Sequence, residues 1–324
     1  MNAPRTRVVR RPVHGVLLLD KPLGLSSNQA LQKAKWLLRA EKAGHTGTLD
    51  PLATGVLPLC FGAATKFSQL HLDADKTYEA TIQLGVTTST ADAEGDIIAR
   101  GVVPVLTEVK LEAVRQRFLG SISQLPPMHS ALKKDGRALY EYARQGIEVE
   151  RAPREVQIHE LLMEHSPGAP DLLKIRVRCS KGTYIRTLGQ DIGNALECGG
   201  HLTALRRVST GPFDTSHCLT LEALEGMAES ERLSCLLPPQ ALLPDHVSVT
   251  LDSEDAGRFL SGMRRRGAWP DSEQVAVFGA SPHALLGTAH VKAGELIPVR
   301  LLSPIEIQQI LASPSRGQQH KAIV

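Results

Sequence analysis

The amino-acid sequence predicts an α+β protein in which a large mixed domain is followed by a small β-barrel. The 324 residues exceed the usual size of one domain, and 42% of them are apolar, enough to fill a sizeable core. Strand-like alternation and helical periodicity take turns through most of the chain, whereas short strands and turns dominate after about residue 246. Prolines cluster at the change, at Pro238, Pro239 and Pro244, as in a domain junction.

The larger domain contains several well-marked elements. Near its start, a short buried strand leads into a Pro and Gly turn, with Ser26 or Ser27 as the N-cap of a helix over 28–39. Residues 76–84 and 172–179 alternate as strands. A loop and an amphipathic helix follow the second of these strands, so the chain is built from strands and helices in turn.

Arg186 falls in the first turn of the helix that follows the 172–179 strand. The helix macrodipole disfavours a cation at this end. The position therefore indicates a specific anionic partner, although a surface arginine bent into solvent would give the same pattern.

Composition and cysteine usage favour a cytoplasmic globular protein, and the charge is compatible with an anionic partner. The net charge is only +3, but basic residues cluster locally. The five cysteines form no CxxC pair and are odd in number, which speaks against a disulfide framework or a zinc ribbon and fits a reducing cytoplasm. Val16–Leu19, the apolar run behind a basic amino-terminal arm, is too short for a signal peptide or a membrane span.

Standard cofactor and metal motifs are missing from the sequence. There is no GxxxxGK[ST] loop, no GxGxxG turn opening a helix and no GxSxG elbow. The segment His159–His165 has methionine where HExxH needs its second histidine, and Asp92–Asp96 does not match the calcium-loop pattern. We therefore expect no cofactor and no metal, and a carboxylate that works without either.

Asp50 is the strongest candidate for that carboxylate. It lies in the glycine-rich segment AGHTGTLDPLATGVLPL at 43–59, which also contains His45. Glycines permit backbone angles and close approaches that side chains block, and Pro51 disfavours helical geometry at Asp50. An aspartate is ionised at pH 7, so it is an anionic nucleophile without an adjacent base.

A long insertion at about 124–151 mixes basic and aromatic residues. It begins with two prolines and carries Lys133, Lys134 and Arg137 close to two tyrosines. Such a loop fits a clamp for nucleic acid. A solvated surface hairpin whose tyrosines pack locally explains the same composition, and the segment taken alone favours that simpler interpretation.

Five ordered blocks of the sequence resemble the TruB-type tRNA pseudouridine synthases, bacterial enzymes that isomerise the uridine at position 55 in the T loop. Any one block would be a weak signal, but five in order make coincidence a poor explanation. The resemblance implies a pseudouridine synthase fold with a mixed, mainly antiparallel sheet flanked by helices, plus a C-terminal PUA-like β-barrel. The blocks are LLLDKPLGLSS at 17–27, AGHTGTLDPLATGVLPL at 43–59, KTYEA at 76–80, SKGTYIRTLGQDIG at 180–193 and HLTALRRVSTGPF at 201–213.

The resemblance implies catalytic roles for Asp50, Tyr78 and Arg186, which fall on the family's aspartate, active-site tyrosine and arginine. In the family the carboxylate detaches uracil from its ribose, and the base turns and rejoins through carbon. Attack on the sugar, attack on the base and a glycal route are all compatible with an aspartate here. An ion pair between Arg186 and Asp50 would agree with the cation at the helix start, and Tyr78 offers a face on which uracil can stack.

The resemblance also implies a set of substrate-binding residues. The histidine of the family's GHTG segment wedges into the T loop when the target base is extruded, and the insertion corresponds to a thumb that closes over the T arm. Two lysines correspond to basic residues around the pocket, where they bind phosphate or buttress loops, and a leucine corresponds to an apolar wall. The complete set is His45, Lys21, Lys66, Tyr184, Leu205, Lys133, Lys134 and Arg137.

These inferences predict a flexible basic arm at 1–12, a catalytic domain at 13–244, a PUA-like RNA-binding domain at 245–313 and a flexible tail at 314–324. The expected partner is the T arm of tRNA, with no membrane and no guide RNA, and the protein is expected to be a cytoplasmic monomer. An RNA-guided pseudouridine synthase and a non-catalytic RNA-binding or RNA-folding protein are the alternatives. The thumb insertion and the absence of extended lysine-rich tails favour a stand-alone enzyme.

Overall fold

The computed structural model describes residues 9–166 and 168–313. Most of the predicted arm at 1–12 and all of the predicted tail at 314–324 lie outside the described residues. The described strands are β1 Gly15–Lys21, β2 Ala43–His45, β3 Ala53–Phe61, β4 Lys76–Leu84, β5 Val86–Thr88, β6 Ile97–Arg100, β7 Gly120–Gln124, β8 Lys133–Lys134, β9 Arg137–Ala138, β10 Arg154–Ser166, β11 Ala169–Cys179, β12 Gly200–Thr210, β13 Phe213–Asp214, β14 Val247–Leu251, β15 Arg265–Arg266, β16 Ser272–Ala280, β17 His283–Lys292 and β18 Glu295–Leu301.

The helices flank these strands. Within the same described residues, none of them is long and apolar enough to cross a membrane. The α-helices are α1 Ser27–Leu37, α2 Ser68–Leu72, α3 Glu108–Phe118, α4 Leu139–Ala143, α5 Ile185–Ala195, α6 Leu221–Gly226, α7 Glu229–Ser234, α8 Ser253–Leu260 and α9 Pro304–Ala312.

A mixed, mainly antiparallel sheet forms the centre of the larger domain, as predicted. Seven of its nine strands follow one path, β1-β3-β12-β4-β11-β10-β7, with β2 added to β3 and β13 added to β12. Of the described pairs in this sheet, only β3 with β12 is parallel. This central position of β3, β12 and β4 brings the segments that carry the predicted site residues together.

Helix α1 begins where its N-cap signal predicts. The hydroxyl of Ser26 accepts a hydrogen bond from the Gln29 amide at 3.2 Å, and the Gln29 side chain accepts one from the Ser26 amide at 2.8 Å. This reciprocal arrangement satisfies two donors that the helix start would otherwise leave open. Its apolar face, with Ala30 and Ala34 fully buried, packs on the central sheet.

The C-terminal module is a curled five-stranded sheet in the order β14-β16-β17-β18-β15. It does not have an isolated core. Val16 and Val56, from the outer face of β1 and β3, belong to the same buried apolar cluster as Val275 and Leu285 of the module. Because side chains alternate along a strand, β1 and β3 contribute one face to each of the two cores. The proline-rich junction therefore joins two units that share buried surface.

The predicted insertion matches an excursion from the central sheet. Strand β7 ends at Gln124 and β10 begins at Arg154, and these two residues lie opposite each other in an antiparallel pair. Between them the chain forms the β8–β9 hairpin and α4, and Arg151 Nη1 donates to Pro126 O at 2.9 Å across the base. We call residues 125–153 the thumb.

The described end of the predicted amino-terminal arm is bonded to the larger domain. The amide of Arg11 donates to Arg39 O at 2.8 Å, and its guanidinium lies 3.1 Å from Glu229. The folded domain therefore begins before residue 13, and the prediction of a flexible arm as far as residue 12 is wrong for Arg11. A carboxylate that lies far away in the sequence supplies this anchor.

Replacing Gly55 with alanine should lower the free energy of unfolding by at least about 2 kcal/mol, from a strained backbone and an overpacked strand pair. Gly55 has φ +101°, and a Cβ atom there would lie 2.1 Å from the carbonyl oxygen of Arg207 on β12. The matched control is Gly257→Ala within α8, where nothing lies within 4 Å of the added carbon, so helix propensity should raise stability by up to about 1 kcal/mol. Urea unfolding measures both, and equal midpoints for wild type and Gly55→Ala would contradict the expected clash.

Candidate active site

The loop that carries Asp50 is held by hydrogen bonds to its backbone. The buried hydroxyl of Ser27, at the start of α1, accepts from the Leu49 amide at 2.7 Å and lies 3.0 Å from the Leu49 carbonyl oxygen. On the other side of Asp50, the Pro51 carbonyl accepts from the Gly24 amide at 2.9 Å. The loop between β2 and β3 is therefore fixed against α1 and against the turn that precedes α1.

Arg186 forms the expected ion pair with Asp50. Its Nε lies 2.9 Å from Asp50 Oδ2, and its side chain is only 4% exposed, whereas that of Asp50 is 38% exposed. The carboxylate offsets the cost of a cation in the first turn of α5, which is the physical reason for the unusual position seen in the sequence. The Asp50 side chain therefore stays partly accessible to an incoming group.

The pKa of Asp50 lies above the ordinary value of an aspartate. Burial, which penalises the charged form, is the largest cause, and the neighbouring carboxylate of Asp92 adds to the rise. The Arg186 guanidinium and the Lys21 ammonium act in the opposite direction. Arg186 therefore supports ionisation, as expected from the sequence, but burial outweighs it.

Asp92 is a site residue that the sequence analysis missed, since it was considered only as part of a failed calcium loop. It is 3% exposed, and its Oδ2 lies 3.5 Å from Arg186 Nη1. Its other carboxylate oxygen accepts from the Glu94 amide at 3.1 Å. No local pattern marks an aspartate in a polar turn; only the pairing of distant elements brings it to Arg186.

Two backbone carbonyls complete the surroundings of the Arg186 guanidinium. Nη1 donates to Thr90 O at 3.1 Å, and Nη2 donates to His129 O at 2.6 Å. His129 belongs to the thumb, so the thumb is bonded directly to the residue that pairs with Asp50. Two carboxylates and two carbonyls hold this arginine in one orientation.

Tyr78 lines the same site from β4, where it lies directly opposite Arg207 of β12. Arg207 is 1% exposed, and its guanidinium donates to Val56 O at 2.7 Å and to Gly47 O at 3.2 Å. Burial raises the pKa of Tyr78, and Arg207 opposes that rise. Arg207 is also a site residue that the sequence analysis missed. Arg206 and Arg207 form an RR pair whose side chains lie on opposite faces of the sheet, and the sequence does not show which of the two faces the site.

A cavity of about 350 Å³ joins these groups, a volume within the range of small-molecule sites. Asp50 and Tyr78 both line it, so the carboxylate and the aromatic face open onto one space. The residues that line it include Asp50, Lys76, Tyr78, Ser130, Arg154, Tyr184, Arg186, Leu205 and Arg207. We call this space the catalytic cavity.

Two other cavities help to define the site. One of about 480 Å³ lies on the other side of Asp50 and Arg186, where His45, His129 and Tyr140 line it. A larger one of about 630 Å³ is formed with Glu79, whose side chain alternates to the face opposite Tyr78, and Asp50 does not line it. The chemistry is therefore assigned to the smaller catalytic cavity and not to this larger one.

His45 ends β2 at the cavity beyond the ion pair and not in the catalytic cavity. Burial and the nearby Arg207 charge lower its pKa, so the imidazole is neutral at pH 7. Its Nδ1 is buried and has no hydrogen-bond partner among the described residues. The ring therefore lines a cavity that Asp50 also lines, with an unused polar atom.

Lys21 supports the turn after β1 and does not line the catalytic cavity. Its side chain is fully buried, and its Nζ donates to Leu25 O at 2.5 Å and to Pro22 O at 2.9 Å. Burial lowers its pKa to about 8, against the opposing effect of Asp50. Of the two roles expected from the resemblance, this geometry fits loop support; a contact with phosphate does not fit a side chain without exposed surface.

The expectation that Lys66 lies near the pocket is wrong. Its Nζ donates to Leu301 O at 2.9 Å and to Glu306 Oε2 at 2.6 Å, both in the C-terminal module. The carboxylate of Glu306 has a lowered pKa, with the Lys66 hydrogen bond among its causes. Lys66 therefore joins the two units of the chain, a role that only the shared interface reveals.

Tyr184 and Leu205 do line the catalytic cavity. Tyr184 precedes α5 as its N-cap residue, and Leu205 lies on β12 opposite Ala80 of β4. Leu205 is 7% exposed, as expected for an apolar wall.

The three predicted basic contacts of the thumb lie outside the catalytic cavity. Lys133 and Lys134 form β8, and Arg137 begins β9; all three are exposed. Arg137 lies 3.7 Å from Glu141 and 4.7 Å from the centre of the Tyr142 ring. The local packing of a tyrosine agrees with the simpler interpretation of this segment, while the exposed lysines leave positive charge at the thumb tip.

Family models match much of the chain. Residues 35–185 match the TruB family pseudouridylate synthase (N terminal domain), and residues 186–243 match the tRNA pseudouridylate synthase B C-terminal domain. The two matches meet within the first turn of α5, so together they contain the predicted catalytic residues and most of the central sheet.

Curated relatives match nearly the full length. The chain is 67% identical over 321 residues to tRNA pseudouridine synthase B of Verminephrobacter eiseniae (strain EF01-2), covering 98% of this chain and 97% of the relative. It is 56% identical over 300 residues to the protein of the same name from Ralstonia nicotianae, covering 90% and 95%.

Solved structures share the fold. A Cbf5-Nop10-Gar1 complex contains a chain that is 26% identical, with a TM-score of 0.67 over 94% of this chain and 90% of that chain. An H/ACA RNP bound to a substrate RNA containing 2′-deoxyuridine contains a chain that is 24% identical, with a TM-score of 0.66 over 90% and 86%.

Proposed function

This chain belongs to the TruB family of pseudouridylate synthases, and we propose that it isomerises the uridine at position 55 in the T loop of tRNA. As a member of that family it is an isomerase that forms pseudouridine in tRNA. The position of the target, the route of the reaction and the roles of individual residues are the content of the proposal.

The proposed reaction exchanges one bond to the ribose for another. The bond from uracil N1 to ribose C1′ breaks, the base turns within the cavity, and C5 bonds to C1′. The hydrogen on C5 leaves as a proton and N1 gains a proton, so the product is an isomer of the substrate. Because no electrons are transferred overall, the reaction needs only groups that form bonds, stabilise charge and move protons.

The ion pair of Asp50 with Arg186 at an open cavity is the observation that carries the proposal. Asp50 has a partly exposed side chain that lines the cavity, a fixed backbone and a cation that favours its charged form. In the proposed mechanism its ionised carboxylate drives cleavage of the glycosidic bond, and Arg186 keeps the carboxylate oriented while the base seals the cavity.

Tyr78 and His45 support the binding of an extruded nucleotide. Tyr78 presents its ring to the cavity that Asp50 lines, which suits stacking on a uracil. His45 is neutral, lines a cavity shared with Asp50 and has a free Nδ1, which suits a ring that fills the gap left in the T loop. We propose these roles for the two residues.

We propose that the protein acts without a guide RNA and that the thumb closes over the T arm. The relatives named tRNA pseudouridine synthase B are 67% and 56% identical, whereas the Cbf5 chain is 26% identical. The exposed Lys133, Lys134 and Arg137 supply positive charge to a thumb that is already bonded to Arg186 through His129. The C-terminal module is proposed to act as a PUA-like RNA-binding domain.

The test is to incubate the purified protein with an unmodified tRNA transcript and no other RNA, and then to map pseudouridine at single-nucleotide resolution. The proposal predicts complete conversion at position 55 and none in a transcript that carries cytidine there. Conversion at another position would overturn the assigned target, and conversion only after a guide RNA is added would overturn the stand-alone reaction.

Replacing Asp92 with asparagine should lower the pKa of Asp50, because it removes a nearby negative charge that raises it. The acid limb of the single-turnover rate against pH should therefore move to lower pH. Arg186→Gln should move that limb to higher pH, since it removes the strongest influence in the opposite direction. The rate at neutral pH should also fall by roughly tenfold to a hundredfold in Asp92→Asn as the guanidinium loses an anchor.

The matched control is Asp96→Asn, an exposed carboxylate of the same loop, which should leave the pH profile unchanged. Acid limbs that move in the same direction in Asp92→Asn and Arg186→Gln would contradict the assignment of that limb to Asp50.

A further inference from the structure

Arg154 is a cation of the catalytic cavity that has no acidic partner in the described part of the chain. It is half-buried, begins β10 and lines the same space as Asp50. Its guanidinium carbon lies 5.6 Å from the centre of the Tyr184 ring. Within residues 9–166 and 168–313 the Arg154 side chain makes this ring contact and no other interaction, and no carboxylate lies within ion-pairing distance of it.

The other cations of the cavity are engaged by groups of the protein. Lys76 donates to the Leu72 carbonyl at 2.7 Å, Arg186 pairs with Asp50 and Asp92, and Arg207 donates to two backbone carbonyls. Among the described lining residues, Asp50 is the only carboxylate against four cations. The excess positive charge favours an anionic group, and Arg154 has the donors free to bind it.

The surroundings of Arg154 are fixed before any ligand enters. The side chain of Gln124, directly across the strand pair and 1% exposed, accepts from the Tyr184 amide at 3.0 Å and donates to the Tyr184 carbonyl at 3.3 Å. A Cβ at Gly182 would lie 3.2 Å from Arg154 Nη1, so a glycine at this position avoids a close contact with the guanidinium. A planar cation over an aromatic ring, on a rigid frame, is a preorganised binding group.

A second, independent observation points to a ligand in the same cavity. The hydroxyl of Ser130, in the thumb, is buried without a hydrogen-bond partner among the described residues, and Ser130 is only 5% exposed. Buried hydroxyls are normally paired, and leaving one unpaired is costly. Ser130 lines both the catalytic cavity and the cavity that contains His45, so a ligand entering there would supply the missing partner.

We propose that Arg154, held over Tyr184, binds a phosphodiester that flanks the target uridine. The inference rests on the proposed function, since it names a subsite for the same RNA substrate. Extrusion of a nucleotide carries its two phosphates toward the protein, and a planar guanidinium matches the oxygens of one of them. Because Arg154 closes the base of the thumb opposite Gln124, this contact also lies where the thumb joins the sheet.

The test uses T-arm hairpin RNAs that carry a neutral methylphosphonate in place of the phosphate on either the 5′ or the 3′ side of the target uridine. For the wild type, one of the two substitutions should weaken binding by about tenfold, as for the loss of one phosphate contact. Arg154→Gln should weaken binding of the unmodified hairpin by about the same factor. The affinity of this variant should not fall further when that methylphosphonate is present. The salt dependence of its dissociation constant should decrease by about one released ion.

Two variants separate binding from folding. Arg154→Lys keeps the charge and should retain the wild-type salt dependence, and Arg100→Gln, an exposed arginine outside the cavity, should behave as the wild type. Wild-type binding that is unaffected by both methylphosphonates would overturn the inference even if Arg154→Gln does not fold. The inference would also be overturned if the affinity loss caused by Arg154→Gln and the loss caused by each methylphosphonate multiply when the two changes are combined. If the wild type forms no pseudouridine in the unmodified hairpin or in tRNA, the proposed function fails instead.

Discussion

Asp50→Asn should abolish pseudouridine formation and leave tRNA affinity within a few fold of the wild type. The substitution removes the charge but almost none of the volume, and an amide oxygen can still accept from Arg186, so the cavity should keep its shape. A neutral amide is a poor nucleophile and a poor proton acceptor, so the single-turnover rate should fall by at least about 1,000-fold. Rate and dissociation constant are measured on the same transcript.

The control for Asp50→Asn is Asp73→Asn, which removes an exposed carboxylate that pairs with Lys181 on the surface. It should change the rate by less than about twofold, since exposed ion pairs contribute little. A rate for Asp50→Asn that stays close to that of Asp73→Asn would remove Asp50 from the mechanism.

Arg186→Lys should lower the single-turnover rate by at least about a hundredfold with little change in tRNA affinity. The guanidinium contacts Asp50 through Nε and reaches Asp92, Thr90 O and His129 O through its other nitrogens. One ammonium cannot span acceptors spread around a planar group, so the orientation of Asp50 would be lost while the positive charge remains.

Arg115→Lys is the matched control for Arg186→Lys. Arg115 makes a two-pronged contact with Glu112 on α3, with both hydrogen bonds at 2.6 Å, but it lies outside the catalytic cavity. Its replacement should leave the rate unchanged. If Arg186→Lys turns over as fast as Arg115→Lys, the planar contact with Asp50 has no role in catalysis.

Local patterns predicted the elements that carry the site. The strand at 76–84 has the predicted bounds, and the N-cap of helix α1 is Ser26, one of the two serines that mark the helix start in the sequence. The presence of an anionic partner for Arg186 could be anticipated because a cation in the first turn of a helix conflicts with the helix dipole, whereas Asp50 was identified as that partner by the family resemblance. In each case the signal lies within a few residues of the feature that it predicts.

The parts that sequence reasoning missed depend on contacts between distant segments. Asp92 and Arg207 have ordinary neighbours in the sequence. The pairing of β12 with β4 places Arg207 beside Tyr78. The loop after β5, which bridges to Leu202 of β12, places Asp92 beside Arg186. The family resemblance implied that Lys66 lies near the pocket. In the structure it lies at the interface with the C-terminal module, where the two units share a core. Long-range pairing of this kind leaves no periodic trace in a single sequence.

A crystal structure of Asp50→Asn bound to a T-arm hairpin RNA with uridine at position 55 is the most direct test of the central claim. The account predicts that this uracil has left the loop stack and lies in the catalytic cavity against Tyr78, with ribose C1′ roughly 3.5 Å from the side chain of residue 50. A uracil that remains stacked in the RNA, or that occupies the groove beside Glu79 on the opposite face of the sheet, would contradict it.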